Sequence, residues 1–327
     1  MIRRNQDQQK SKQLTTKTLK YIFIGGGRGG FELISSATAN KVLPEYSVIC
    51  KEDDHEHINY SEKIKELLEK NDAAYSVRKK LTETDHEIIR KIRPDLIFVF
   101  GWRTMIDPKL NSNCRYGIFA AHYSLLPKYR GFAPMQWAII NGEKSTGVSI
   151  FRIEEGGVDS GKILIRKKIL INENDYASDI EKKLTGLTVD AFISLIKKKT
   201  LNIRSLIKQD ESKATYTCKR TPEDGRINWN KSSSEIFNMI RALSYPYTGA
   251  FCFYENEKFV IRKAESGKKN KFIFKGIIAG RVIHIDETGI EVLCGTGTLK
   301  ITEWDIANSG KTEIPSVRVR SYSDTLL

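Results

Sequence analysis

Apolar positions along the first two hundred residues fall into two alternating patterns. Short unbroken apolar runs, as in KYIFIGGG (20–27), EYSVICKED, DLIFVFG (95–101) and GIFAAH, carry the mark of strands buried on both faces of a parallel sheet. Segments with helical spacing lie between them. GFELISSATANKVL follows the first run. SEKIKELLEKN (61–71) puts Ile64, Leu67 and Leu68 on one helical face, with Ser61 as the expected N-cap. TDHE (84–87) has the form of a capping box before IIRKI, and Pro94 ends that helix. GFAPMQWAIINGE predicts a helix that stops at Gly142. TGVSIFRIE (146–154) and KILIRKKILI (162–171) predict two further strands, and DYASDIEKKLTGLTVDAFISLIKKK a long amphipathic helix. The alternation predicts a doubly wound α/β domain over residues 20–205.

The pattern then changes. A Pro/Asp/Gly turn (TPEDGR) and one helix (SSSEIFNMIRALS) lead into short strands: GAFCFYE, EKFVIRKA, KGIIAGRVIHID, GIEVLCG and TLKITEWD. Glycines and a Glu-Asn turn punctuate them. This predicts a small, mostly β, barrel-like domain over 214–310, with a tail at 311–327. The N-terminal stretch, MIRRNQDQQKSKQLTTKTLK, is basic and polar without an apolar segment. It reads as a disordered tail over 1–19, not as a secretory signal.

The chain has 327 residues, enough for two domains and a well-buried core. With 40% hydrophobic and 29% charged residues it reads as globular, and no run of about 18 apolar residues suggests a membrane span. Net charge is +14, part of it from the N-terminal stretch. That balance suits anionic partners such as phosphates, polyglutamate or RNA, and equally a Lys-rich solvated surface. The cysteines at 50, 114, 218, 252 and 294 are odd in number and form no CxxC pair, which points to a reducing cytoplasm and away from disulfides or a zinc site. EDDHEH (52–57) lacks metal-ligand spacing, and no metal is expected.

GGGRGG (25–30) matches G-x-G-x-x-G through Gly25, Gly27 and Gly30, with Glu52 and Asp53 about twenty residues on. Two readings are open: a dinucleotide fingerprint, or a tight strand-to-helix turn of a Rossmann-like sheet. His122 is the stronger chemical candidate. It ends an apolar strand, where α/β sheets place ligand crevices, and SLLPKYRG brings Lys128 and Arg130 after it. Asp159 follows Gly156 and Gly157 in GVSIFRIEEGGVDSGKIL (147–164); it could orient an imidazole or merely form a turn.

HYSLLPKYRGFAPMQWAIINGE followed by TGVSIFRIEEGGVDSGKIL closely resembles the N10-formyltetrahydrofolate-dependent formyltransferase family, which includes methionyl-tRNA formyltransferase and sugar-nucleotide N-formyltransferases. GWRTMI (101–106), TPEDGRINWNKSS and IRALSYPYTGAF extend the resemblance from about residue 20 to 305. It favours the turn reading of GGGRGG. The resemblance implies transfer of a formyl group from N10-formyltetrahydrofolate, without a metal, to a primary amine. The amine would belong to an amino sugar on a nucleotide, or alternatively to methionyl-tRNA. His122 and Asp159 match the family's catalytic His and Asp. Trp102, Arg103, Thr104, Met105 and Gly157 would meet the folate, and Ser124, Lys128 and Arg130 the phosphate-bearing acceptor. No membrane partner is implied; a homodimer is allowed. The family's Asn, an oxyanion donor, is replaced by Ala120 on the same strand face as His122. Ser124 and Tyr123 are the neighbouring hydroxyls that could substitute. The expectation is a working but slow transferase in which a neighbouring hydroxyl, a backbone N–H or an ordered water covers the lost donor; the alternative is a folate-binding hydrolase or an inactive binding protein.

Overall fold

The computed structural model describes residues 18–52, 58–266, 274–307 and 309–327. Most of the basic N-terminal stretch, the cluster at 53–57 with His55 and His57, and most of the basic loop expected at 265–272 lie outside the described residues.

Strands β1 (Tyr21–Gly25), β2 (Tyr46–Cys50), β3 (Tyr75–Arg78), β4 (Leu96–Phe100) and β5 (Gly117–His122) run parallel in the order β3-β2-β1-β4-β5. The two-residue strand β6 (Arg130–Gly131) leaves this sheet. Strands β7 (Ser145–Arg152) and β8 (Ile163–Leu170) extend it antiparallel, making seven strands. Helices α1 (Gly27–Ala39), α2 (Tyr60–Lys70), α3 (Glu83–Ile92), α4 (Pro134–Ile140) and α5 (Ala177–Ile196) flank it. The first, second and fifth bury Leu33, Ile34, Ile64, Leu68 and Phe192 in one core with Phe23, Phe98 and Phe119. Ile89 of α3 lies in the other core, with Ile97, Ile118 and Ala120. The unbroken apolar runs follow from this, because both faces of the central strands are covered. The tyrosine-bearing edge strand β3 is too short to stand out as a pattern.

Two caps differ from expectation. Helix α2 is capped by Asn59, whose side chain accepts from Glu62 N at 3.1 Å, while Ser61 is buried inside the helix. The capping box of α3 is Thr82 and Asp85, two residues before the TDHE reading. Asp85 is drawn in because its carboxylate also accepts from Tyr46 and Ser76 hydroxyls, both at 3.0 Å. Burial pushes that carboxyl up, and hydrogen bonds led by those from Thr82 outweigh it, holding the group below its ordinary range.

Strand β9 (Tyr216–Thr217) pairs with β6, and helix α6 (Ser233–Leu243) opens the second domain. Strands β10 (Ala250–Tyr254), β11 (Glu257–Ser266), β12 (Val282–Asp286), β13 (Gly289–Leu293) and β14 (Thr298–Ile306) form an antiparallel sheet in the order β10-β11-β14-β13-β12, and β15 (Thr312–Glu313) adds to β14. Residues 324–327 close it. Leu327 exchanges two backbone hydrogen bonds with Phe253, on the β10 edge, and Val282 of the β12 edge donates to Asp324 O. Leu326 is buried in the barrel core. The stretch expected as a tail at 311–327 is therefore structural: its pattern is too short to read as strand, but both open edges need its backbone groups. Met135 and Ile139 of α4 and Ala242 of α6 share one buried cluster that joins the domains.

Candidate active site

The side chains of β5 alternate faces. Phe119, Ala121 and Tyr123 pack with the core under α1 and α5, and Ile118 and Ala120 with the core under α3. His122 follows Ala120 on that second face, its ring 6.5 Å edge-on from Phe151. After β7 the chain folds back across this face. Asn111 anchors the return: its amide donates to Ile153 O and its carbonyl accepts from Ile118 N, both at 2.8 Å. Asp159 thus arrives beside His122, with Oδ2 3.5 Å from Nδ1. The same oxygen accepts from Gly131 N at 2.8 Å. His122 Nε2 lies 2.7 Å from Tyr129 O, an acceptor only, so Nε2 carries a proton. His122 is 9% exposed.

Two loops therefore meet at the imidazole, and both hold residues in the left-handed backbone region: Tyr129 at φ 58° and Ala133 at φ 49° in one, Asp159 at φ 51° in the other. Such residues are costly and gather where the surroundings over-determine them. The surroundings here include the segment between the domains. Thr215 Oγ1 accepts from Tyr129 N at 2.8 Å, and Gln209 Nε2 donates at 2.7 Å to both Asp159 O and Gly161 O.

Arg130 corrects the sequence reading. It does not face solvent or an acceptor phosphate; it is fully buried. Its guanidinium donates to Gln209 Oε1 at 2.8 Å, to both carboxylate oxygens of Glu211 at 2.7 and 2.8 Å, and to Tyr216 at 3.0 Å. The hydrogen bonds to Glu211 raise the guanidinium further and lower the Glu211 carboxyl. Ser124 is also turned inward: β5 ends at His122, and the Ser124 hydroxyl is buried and donates to Lys128 O at 2.6 Å. Lys128 is exposed.

Neither hydroxyl considered for the missing donor is free. Ser124 is committed to Lys128, and Tyr123 lies on the opposite face with its hydroxyl 2.6 Å from Thr185 Oγ1; burial drives its phenol upward. Trp102, by contrast, packs against the core that holds Ala120, and its indole Nε1 is buried without a hydrogen-bond partner. Arg103, Thr104 and Met105 follow it, exposed, at the end of β4, and Met105 is 81% exposed. Gly157 is exposed, its carbonyl accepting from Ser160.

Two different demands explain glycines of GGGRGG: Gly27 sits in the left-handed region at φ 61° with open space around it, whereas Gly25 and Gly29 are closely packed. A Cβ on Gly25 would lie 1.8 Å from Phe100 O, and one on Gly29 2.5 Å from the Phe100 ring. Gly26 N donates to Phe100 O. Among the described residues no group of three or more His, Cys, Asp or Glu gathers as a metal site, and no helix is long and apolar enough to cross a membrane.

Local sequence missed Gln209, Thr215 and the Tyr129 carbonyl. Gln209 and Thr215 lie in an unpatterned connecting segment, about fifty to ninety residues from what they hold, and Tyr129 acts through its backbone, seven residues after His122.

The formyl transferase family matches residues 19–196, and the formyl transferase C-terminal domain matches residues 219–317. Methionyl-tRNA formyltransferase of Caldicellulosiruptor saccharolyticus is 33% identical over 236 residues, 72% of this chain and 73% of that protein. The N-formyltransferase from Helicobacter canadensis, solved with folinic acid and dTDP-3-aminofucose, has a TM-score of 0.63 at 20% identity, covering 87% of this chain and 99% of that one. HypX from Aquifex aeolicus, solved with tetrahydrofolic acid, has a TM-score of 0.60 at 14% identity over 92% of this chain; the chain spans about half of HypX, 46%.

Proposed function

The chain belongs to the formyl transferase family, and on that premise we propose that it transfers the formyl group of N10-formyltetrahydrofolate to a primary amine on a nucleotide-linked amino sugar. The observation that carries the transfer reading is the His122–Asp159 pair, assembled at 3.5 Å from the end of β5 and a loop 37 residues on in sequence.

The residues present fit a folate. Exposed Met105 offers apolar surface at the end of β4, and the buried indole N–H of Trp102 has no partner within the protein. Trp102, Arg103, Thr104, Met105 and Gly157 would hold it. The co-substrate supplies an activated formyl carbon. The protein's part is to place an amine and move its proton. Because Nε2 is committed to Tyr129 O, the proton is taken at Nδ1, beside Asp159. The doubly protonated ring then has an acceptor opposite each nitrogen, which is the support a general base needs. Ala120 adds no donor, so turnover is expected to be slow.

For the acceptor, the supporting observation is aromatic. Tyr216, 64% exposed, on the β6–β9 ladder and Phe132, 52% exposed, directly after β6 lie next to the Gly131–Asp159 contact and offer faces on which a base can stack. With Arg130 buried, Lys128 is the cation of that loop left for a phosphate. Methionyl-tRNA is the second reading, favoured by the 33% identity to a curated methionyl-tRNA formyltransferase. The reaction chemistry supports a cytoplasmic enzyme, where folates and nucleotides are available.

The test supplies N10-formyltetrahydrofolate with dTDP-3-aminofucose in one arm and methionyl-tRNA in the other. Turnover in the first arm with weak salt dependence supports the amino sugar; turnover in the second, falling steeply with salt, supports tRNA. His122→Ala should lose about 10²–10⁴-fold in kcat while folinic acid still binds. Folate binding without transfer in either arm would overturn the transferase reading in favour of a hydrolase or binding protein.

A further inference from the structure

We propose that Gln209, in the segment between the two domains, is a positioning residue that sets the distance between Asp159 and His122. The inference rests on the role given above to that pair. Gln209 is 4% exposed, and its carboxamide is fully used. Oε1 accepts from Arg130 Nε at 3.2 Å and Nη2 at 2.8 Å, while Nε2 donates at 2.7 Å to Asp159 O and to Gly161 O. It thereby ties the backbone of the Asp159 loop to the side chain of Arg130, in the loop that follows His122.

The geometry gives this tie a purpose. Arg130 and Gly131 are consecutive; Gly131 N holds Asp159 Oδ2, and Tyr129 O holds His122 Nε2. Fixing Arg130 therefore fixes both contacts of the pair. Further bonds from the same segment lock the register: Arg130 N donates to Thr215 O, Thr215 N to Pro127 O, and Phe132 N to Thr217 O. Glu211 and Tyr216 complete the guanidinium's partners. The loops cannot supply this bracing themselves. Asp159 and Tyr129 both sit in the left-handed region, and the Asp159 loop presents exposed Gly156 and Gly157 in place of apolar anchors. A carboxamide fits the role because it alone offers acceptor and donors on one planar head: Glu would set an oxygen against two carbonyls, and Asn would fall a methylene short.

The test is a double-mutant cycle of Gln209→Met with Asp159→Asn, in the full chain, using whichever of dTDP-3-aminofucose and methionyl-tRNA turns over. Gln209→Met keeps length and volume but removes every hydrogen bond. Misplacement on the scale of an ångström costs about 10²-fold, so kcat should fall by that order while the folinic acid Kd stays within about twofold. In the Asp159→Asn background the same change should cost less than about threefold, because what it positions is already gone. Full multiplication of the two losses would show Gln209 acting on overall structure and would overturn the proposal, as would an unaltered kcat in the single variant. Gln209→Glu, which keeps the Arg130 contact, should lose rate as Gln209→Met does and stands in for it if that variant is unfolded. The ring-proton resonance of His122, assigned with His122→Ala, gives an answer independent of turnover. It should move in Gln209→Met in the same direction as in Asp159→Asn, and a resonance that stays at the wild-type position refutes the coupling. If Asp159→Asn itself leaves both rate and resonance unchanged, the assignment of the pair falls, and that outcome is separate from an intact pair with an indifferent Gln209.

Discussion

Replacing Ala120 with Asn tests how much of the family's chemistry this site has given up. Ala120 lies in register between Val99 of β4 and Phe151 of β7, on the face of His122, and is 9% exposed. Asn there would project beside the imidazole. One oxyanion donor is worth about 10²–10³ in kcat, or roughly 2.7–4 kcal/mol of barrier. Against that stands the added carboxamide in a nearly closed slot, where overpacking costs about 1–3 kcal/mol. The two act on different quantities. The donor acts on the transition state, so kcat should rise with KM little changed. The packing cost acts on the folded state, so Tm should fall by about 2–4 °C for each kcal/mol. The assay is kcat at saturating N10-formyltetrahydrofolate with the acceptor that turns over, beside a thermal melt. A folded, folate-binding Ala120→Asn protein whose kcat stays within about threefold of wild type refutes the reasoning, because one missing donor is worth far more. The competing donor is then the unpartnered indole of Trp102. Trp102→Phe would then lower kcat at saturating folate more in the wild type than in the Asn variant.

Three further outcomes follow from the same structure. Asp85→Ala strands the Tyr46 and Ser76 hydroxyls and uncaps α3, and should lower the unfolding free energy by about 3 kcal/mol in urea titration. Glu211 has its carboxyl lowered by Arg130, so its contribution is present above its unfolded value of about 4.3 and is lost as pH falls through the lower folded value; limited proteolysis should cut residues 206–217 faster there, and Glu211→Gln should remove that pH dependence. Deleting residues 324–327 exposes both barrel edges and removes buried Leu326, a loss of about 1.5–3 kcal/mol for the side chain alone, read as a lower Tm; an unchanged Tm would show that the segment does not close the barrel.

Much of this molecule is fixed by local pattern. The buried parallel strands are continuous apolar runs because both faces are covered. His122 could be placed at a strand end, and Ala120 on its face, by period-two alternation alone. The motifs around them pointed to the family that comparison then established. What tertiary structure decided is which polar groups are free. Lys128 and Arg130 look alike in KYRG, yet one is exposed and the other fully buried, because a segment eighty residues away supplies Gln209 and Glu211 to the second. Asp159 follows two glycines in a turn without pattern, and the Asn111 anchor, the Gln209 carboxamide on its backbone and Gly131 N on its carboxylate bring it to His122. The last residues look like a tail because four positions carry no period, whereas two open sheet edges give their backbone groups a place. Period records burial on regular elements; hydrogen bonds between loops leave no period, so the support of this site appears only once the chain is folded.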